Sequence, residues 1–189
     1  MKTLISFFAI VMVFFAGCAK DYTINEEINN VELKKANVPI PFKADLCAVP
    51  DMNGEFYLYP IPGIDPSDPN NYCASRMLIG GTGTHLGIVY PETSYYEVES
   101  TVFVMEAGHP FFLQSGTGKF VAANGDKFEV TWWAKISLPD RNWVGEFEII
   151  PGSGTGKFEG VSGLLPAVGQ ANPAEHKNCW TTEGYLEFE

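Results

Sequence analysis

The sequence predicts an all-β domain. Alternating apolar residues, dense glycine and proline punctuation, and the lack of a sustained 3.6-residue apolar pattern after residue 18 all point that way. The 19 glycines and 13 prolines break the 189-residue chain into short segments, which works against long helices. From Lys127 to Leu138, Phe128, Val130, Trp132, Ala134, Ile136 and Leu138 share one face. Lys127, Glu129, Thr131, Trp133, Lys135 and Ser137 share the other, as in a half-buried strand. Asn142 to Ile150 repeats the pattern, with Trp143, Gly145, Phe147 and Ile149 inward and Glu146 and Glu148 outward. Ser94 to Glu106 is a long β-rich run with Glu97 and Glu99 on one face, and Leu186 and Phe188 alternate with Tyr185, Glu187 and Glu189. Strands of this kind predict an antiparallel sheet closed into a barrel, or a sandwich.

The length suits one domain, and 46% hydrophobic with 14% aromatic residues is enough for a real core. A formal charge of −11 excludes a nucleic-acid binder, which needs a clustered basic surface, and a protein held at a membrane by anionic lipid.

The chain begins with Lys2 and an apolar run from Leu4 to Ala16. That run is too short to span a bilayer and reads as the core of a signal peptide, residues 1–17. Ala16-Gly17 directly before Cys18 resembles the bacterial lipobox, whose cysteine becomes lipidated, although Phe15 stands where leucine is usual. The expectation is an outer-membrane lipoprotein anchored through Cys18, since several acyl chains on one residue hold durably. An ordinary secretory signal leaving Cys18 as a plain thiol is the alternative. Cleavage removes Lys2 and takes the charge from −11 to −12. Residues 18–37 read as a solvated tether, and 38–189 as the folded domain. Lys20-Asp21 resembles the charged export tag of surface lipoproteins in the Bacteroidota.

With Cys18 lipidated, Cys47, Cys73 and Cys179 remain, and an oxidising compartment makes one disulfide the expectation. Cys73 and Cys179 lie in polar, loop-like stretches and are the preferred pair; Cys47, in an apolar stretch, reads as a buried thiol. No CxxC or HxxxH spacing supports a metal site, and His85, His109 and His176 are scattered. No cofactor is expected.

Gly81-Thr82-Gly83, Gly116-Thr117-Gly118 and Gly154-Thr155-Gly156 recur at spacings of 35 and 38 residues. They read as glycine turns joining strands, because no P-loop pattern and no following helix support a phosphate cradle. The run Gly80 to Gly87, with His85-Leu86-Gly87, resembles a strand of a family of exported bacterial barrels. Gly116-Thr117-Gly118-Lys119-Phe120 followed by Ala122-Ala123-Asn124-Gly125-Asp126 is similar to a hairpin of the same family. Gly154 to Gly163 resembles a segment shared with allene-oxide-cyclase-like and dirigent-like barrels of the calycin type.

The resemblance covers roughly residues 74–189. It implies a single antiparallel, calycin-type β-barrel preceded by the signal peptide and flexible tether. It carries no chemistry over: allene oxide cyclases rearrange a fatty-acid epoxide and dirigent proteins steer phenoxy-radical coupling, and the catalytic residues of neither align here. A Pro-rich loop near 50–73, with Pro50, Pro60, Pro62, Pro66 and Pro69, reads as a surface excursion or a cap on the barrel mouth.

His85 is read as hydrogen-bonding backbone on a strand beside a glycine turn, or alternatively as a ligand donor at the barrel mouth. Asp126 is read as capping loose amides in an Asn-Gly turn. Trp133, on the polar face of its strand, either packs under the tether or the Pro-rich loop, or stacks on a sugar ring. The functional expectation is a lipid-anchored envelope protein with a binding or structural role. An isomerase or cyclase acting on an apolar small molecule and a glycan-binding accessory protein are the alternatives.

Overall fold

The computed structural model describes residues 38–52, 58–60 and 72–189. The signal segment 1–17, Cys18 with the tether to residue 37, and much of the Pro-rich loop lie outside the described residues. The strands are β1 (Ile40–Pro50), β2 (Leu58–Pro60), β3 (Tyr72–Ala74), β4 (Arg76–Gly83), β5 (Gly87–Val89) and β6 (Tyr95–Glu106). They continue with β7 (His109–Val121), β8 (Lys127–Ser137), β9 (Asn142–Ile149), β10 (Val161–Ser162), β11 (Leu164–Asn172) and β12 (Lys177–Phe188). One-turn 3-10 helices at Gly156–Phe158 and Pro173–Glu175 are the described helical segments.

Eight strands form one antiparallel sheet in the order β1-β12-β11-β9-β8-β7-β6-β4, and β4 pairs back onto β1. The sheet therefore closes as a ring. β1 is the closing strand: Ile40 to Ala48 pair with β12, and Ala44 to Pro50 pair with β4. Short β5 pairs antiparallel with the end of β4, β10 pairs with the end of β12, and β2 and β3 form a separate two-stranded sheet within the Pro-rich region. Beside the closing strand, the Arg76 guanidinium lies over the Tyr95 ring at 3.8 Å and ion-pairs with Asp51 and Glu97, both at 3.3 Å.

Alternation along the strands sets the inside of the ring. Phe42, Ala44, Leu46 and Ala48 of β1, Phe128, Val130, Trp132 and Ala134 of β8, and Trp143, Phe147 and Ile149 of β9 are all buried. An eight-stranded ring encloses a space that side chains can fill. Here aromatic rings run through it as a continuous chain of contacts. Trp143 meets Trp180 at 6.0 Å, Trp180 stacks on Phe147 at 5.9 Å, and Phe147 meets Phe120 at 5.7 Å. Phe120 stacks on Phe128 at 5.5 Å, and Phe128 meets Phe158 edge-on at 5.1 Å.

Two of the three Gly-Thr-Gly runs are not turns. Gly81-Thr82-Gly83 ends β4, and Gly116-Thr117-Gly118 lies inside β7. In β7 the reason is close approach: a Cβ on Gly116 would sit 1.9 Å from the Glu97 carbonyl oxygen, where β6 shifts register between Val98 and Ser100. The Trp132 indole fills the resulting space and donates to the carbonyls of Glu97 (3.2 Å) and Thr117 (3.0 Å). Only Gly154-Thr155-Gly156 lies between strands.

The expected pairing of Cys73 with Cys179 is also overturned: Cys179 is bridged to Cys47. The apolar stretch around Cys47 comes from every second residue, so Cys47 itself points to the outside of the ring and is half-buried. The β1–β12 register places it directly opposite Cys179, whereas Cys73 lies on β3, paired with Tyr59 in the separate sheet. The bridge spans 132 residues and clamps the closing seam. Replacing both Cys47 and Cys179 by serine is expected to cost about 2–5 kcal/mol in urea unfolding, while Cys73→Ser changes little. A non-reducing peptide map that joins Cys73 to Cys179 would overturn the assignment.

Candidate functional site

The two ends of the ring are built differently. At the end where β1 begins and β12 finishes, Phe158 and Leu86 are fully buried and plug the interior. Phe158 is carried by the Gly156–Phe158 turn, and Asp126 holds that turn in place. The Asp126 carboxylate accepts the Lys157 backbone N–H at 3.0 Å and the Asn124 side-chain amide at 2.8 Å. Gly156 has φ +57 and lies against this carboxylate, where a Cβ would come within 1.9 Å of Oδ1. Asp126 thus caps amides, as its place after Asn-Gly suggests.

His85 belongs to the same plugged end. It sits in the turn between β4 and β5 with φ +64, not on a strand, and its Nε2–H donates to the Pro41 carbonyl at 3.3 Å. Partial burial lowers its pKa below the ordinary value near 6.5; the Pro41 hydrogen bond opposes the shift and the Lys157 charge adds to it. The unfolded chain therefore takes up this proton at a higher pH than the folded one. His85's contribution to stability is complete above about pH 6.5 and is lost as pH falls toward the lowered folded value. His85→Asn, which tolerates the left-handed backbone, is expected to flatten that part of the stability curve in urea titrations between pH 7 and 5. An unchanged curve would remove His85 as its source.

The opposite end is the candidate site. There a recess is lined by Tyr96 of β6, Gln114 of β7, Trp132 of β8, Trp143 of β9, and Asn178 and Trp180 of β12, among others. No charged side chain lines it. Trp143 Nε1–H donates to Asn178 Oδ1 at 2.8 Å, and Asn178 Nδ2 donates to Tyr96 Oη at 3.1 Å. Gln114 Nε2 donates to Thr101 Oγ1 at 3.2 Å. The recess has about 20 Å³ of space, room on the order of one water molecule. Among the described residues, no group of three or more His, Cys, Asp or Glu is arranged to hold a metal ion.

Comparison of the chain with protein-family models, with curated proteins and with solved structures returns no match.

His85 and Trp133, the two candidates from sequence, do not come together. His85 is at the plugged end. Trp133 stands on the outer face of β8, 49% exposed, between Ser115 of β7 and Glu146 of β9 in the strand register, and it borders the recess. Sequence reasoning gave Tyr96 the same two readings as Trp133, stacking or packing, and did not single out Gln114, Asn178 or Trp180. For Trp132 and Trp143 the signal was present, since both fall on the inward face of an alternating strand. Trp180 and Asn178 lie near the start of β12, where polar residues on both sides hide the alternation.

Proposed function

We propose that this chain is a lipid-anchored protein of the bacterial outer membrane, a calycin-type β-barrel with a binding or structural role. The Ala16-Gly17-Cys18 run behind a short apolar segment is the observation that carries the reading. The Cys47–Cys179 bridge fits an oxidising, extracytoplasmic compartment. The binding role is favoured over an isomerase or cyclase because the aromatic recess has room for about one water, too little to surround a substrate.

Cys18→Ala is expected to move the protein from the membrane fraction to the soluble fraction and to abolish labelling by a radiolabelled fatty acid. Unchanged partitioning would refute the lipoprotein reading.

A glycan-binding accessory role is the second reading, and Trp133 is the observation that favours it. Its half-exposed indole on the outer strand face, beside Ser115 and Glu146 in the register, suits stacking on a sugar ring. Trp133→Ala is expected to reduce retention on polysaccharide columns at least severalfold if that reading holds, since an aromatic platform residue contributes most of its contact area. Equal retention of the variant and the parent chain would dismiss it.

A further inference from the structure

We propose that Asn124 is a site of spontaneous deamidation whose product releases the plug of the ring. The inference concerns the turn from Ala122 to Asp126 between β7 and β8, and it is independent of the binding role and of the lipid anchor.

The chemistry follows from Asn124-Gly125. The backbone nitrogen of the residue after an asparagine can attack the side-chain Cγ, and glycine, with no Cβ, leaves that approach unobstructed. The new N–Cγ bond closes a succinimide ring as the Cγ–Nδ2 bond breaks, and ammonia leaves with the proton of the attacking N–H. Water, the one co-reactant, then opens the ring at either carbonyl. One product is aspartate; the other is isoaspartate, whose main chain is longer by a methylene. Ala123, Asn124 and Gly125 are exposed, Gly125 has φ +89, and a Cβ there would meet nothing within 4 Å. Hydrogen bonds hold the reacting groups in place. Gly125 N–H donates to the Ala122 carbonyl at 2.9 Å, Asn124 Nδ2 donates to Asp126 Oδ2 at 2.8 Å, and Asp126 N–H donates to Asn124 Oδ1 at 3.2 Å. Attack requires these bonds to open, and an exposed turn is where opening costs least.

The consequence comes from what the turn holds. Phe158 and Leu86 plug this end, and the turn binds the backbone beside both. Asp126 Oδ2 accepts the Lys157 N–H at 3.0 Å, and Ala123 N–H donates to the Leu86 carbonyl at 2.9 Å. The Asn124 amide therefore donates to the same oxygen that receives Lys157. Deamidation replaces this donor with a second carboxylate and sets two negative charges at hydrogen-bond distance. Asp126 must turn away, and the Lys157 amide loses its acceptor. Isoaspartate also lengthens the turn and shifts Ala123 from Leu86. Two bonds between Lys127 and Thr155, at 3.0 and 2.9 Å, keep the plug segment attached to β8, so the release is local.

The test uses the full chain, aged at mildly alkaline pH beside a urea-unfolded sample, with both mapped by tryptic mass spectrometry. The peptide from Phe120 to Lys127 is expected to gain the mass of an amide-to-acid conversion in both samples, more slowly in the folded one. Asn124→Asp supplies one product directly. Its Lys157 amide is expected to exchange with solvent roughly tenfold faster than the parent's, the scale of one lost hydrogen bond to a charged group, while Val130 in β8 exchanges as before. Asn124→Asp with Asp126→Asn restores one amide and one carboxylate in exchanged places and is expected to recover most of the protection. If Asn124→Asp does not fold, the aged chain, separated by its added charge, takes its place. Asn124 still intact after the folded chain has aged roughly a hundredfold longer than the unfolded chain needs would overturn the proposal. So would unchanged exchange at Lys157, or a double variant no better protected than the single one.

Discussion

Closure of the sheet by β1 is the constraint on which the rest of the structure depends. One strand from the start of the described chain must pair with β12, from its far end, on one side and with β4 on the other. The pairing with β12 joins residues far apart in sequence, so closure costs loop entropy before any interior contact forms. The Cys47–Cys179 bridge lies on that seam and removes part of the cost from the unfolded chain. Arg76 supports the other seam, tying Asp51 after β1 to Tyr95 and Glu97 of β6. Once closed, the ring leaves its eight main strands no free edge along the paired stretches, and its interior volume follows from its strand number.

That interior is matched by an alternation of very large and very small side chains. Trp132 sits over Gly116, where the β6 backbone comes too close for any Cβ. Trp143 lies against Gly169 of β11, where an added Cβ would meet the indole at 2.5 Å. The result is a column of rings from Trp143 to Phe158 with one end plugged and the other capped by polar groups. The difference between the ends has a simple cause. At the plugged end the Gly156–Phe158 turn folds inward under Asp126. At the other end, among the described residues, the column is covered by the side chains of Asn178, Gln114 and Tyr96 and their hydrogen bonds.

Much of this was legible in residues, and the misreadings share a pattern. β8 and β9 follow the alternation of Lys127 to Leu138 and Asn142 to Ile150 closely, because period-two patterning is a local consequence of one wet and one dry face. The glycine runs were misread because glycine serves two ends, positive φ and zero side-chain volume, that look alike in sequence. Gly156 uses the first; Gly116 uses the second. His85 was placed on a strand because the run Gly80 to Gly87 resembles one, but His85 and Leu86 lie in a turn, from which Leu86 is buried as part of the plug. Cysteine pairing was decided by the register of two strands 132 residues apart, about which the polarity of the flanking residues says nothing.

By itself, then, the sequence determined the strand-forming alternation, the faces of Trp132, Trp133 and Trp143, and the capping role of Asp126, all set by neighbours within a few residues. Only the tertiary structure decided which strands meet, which cysteines bridge, and which side chains converge on the recess. Tyr96, Gln114, Trp143, Asn178 and Trp180 come from four different strands, and their meeting depends on ring closure and register. Those are properties of long-range pairing, whose geometry no local pattern of hydrophobicity encodes.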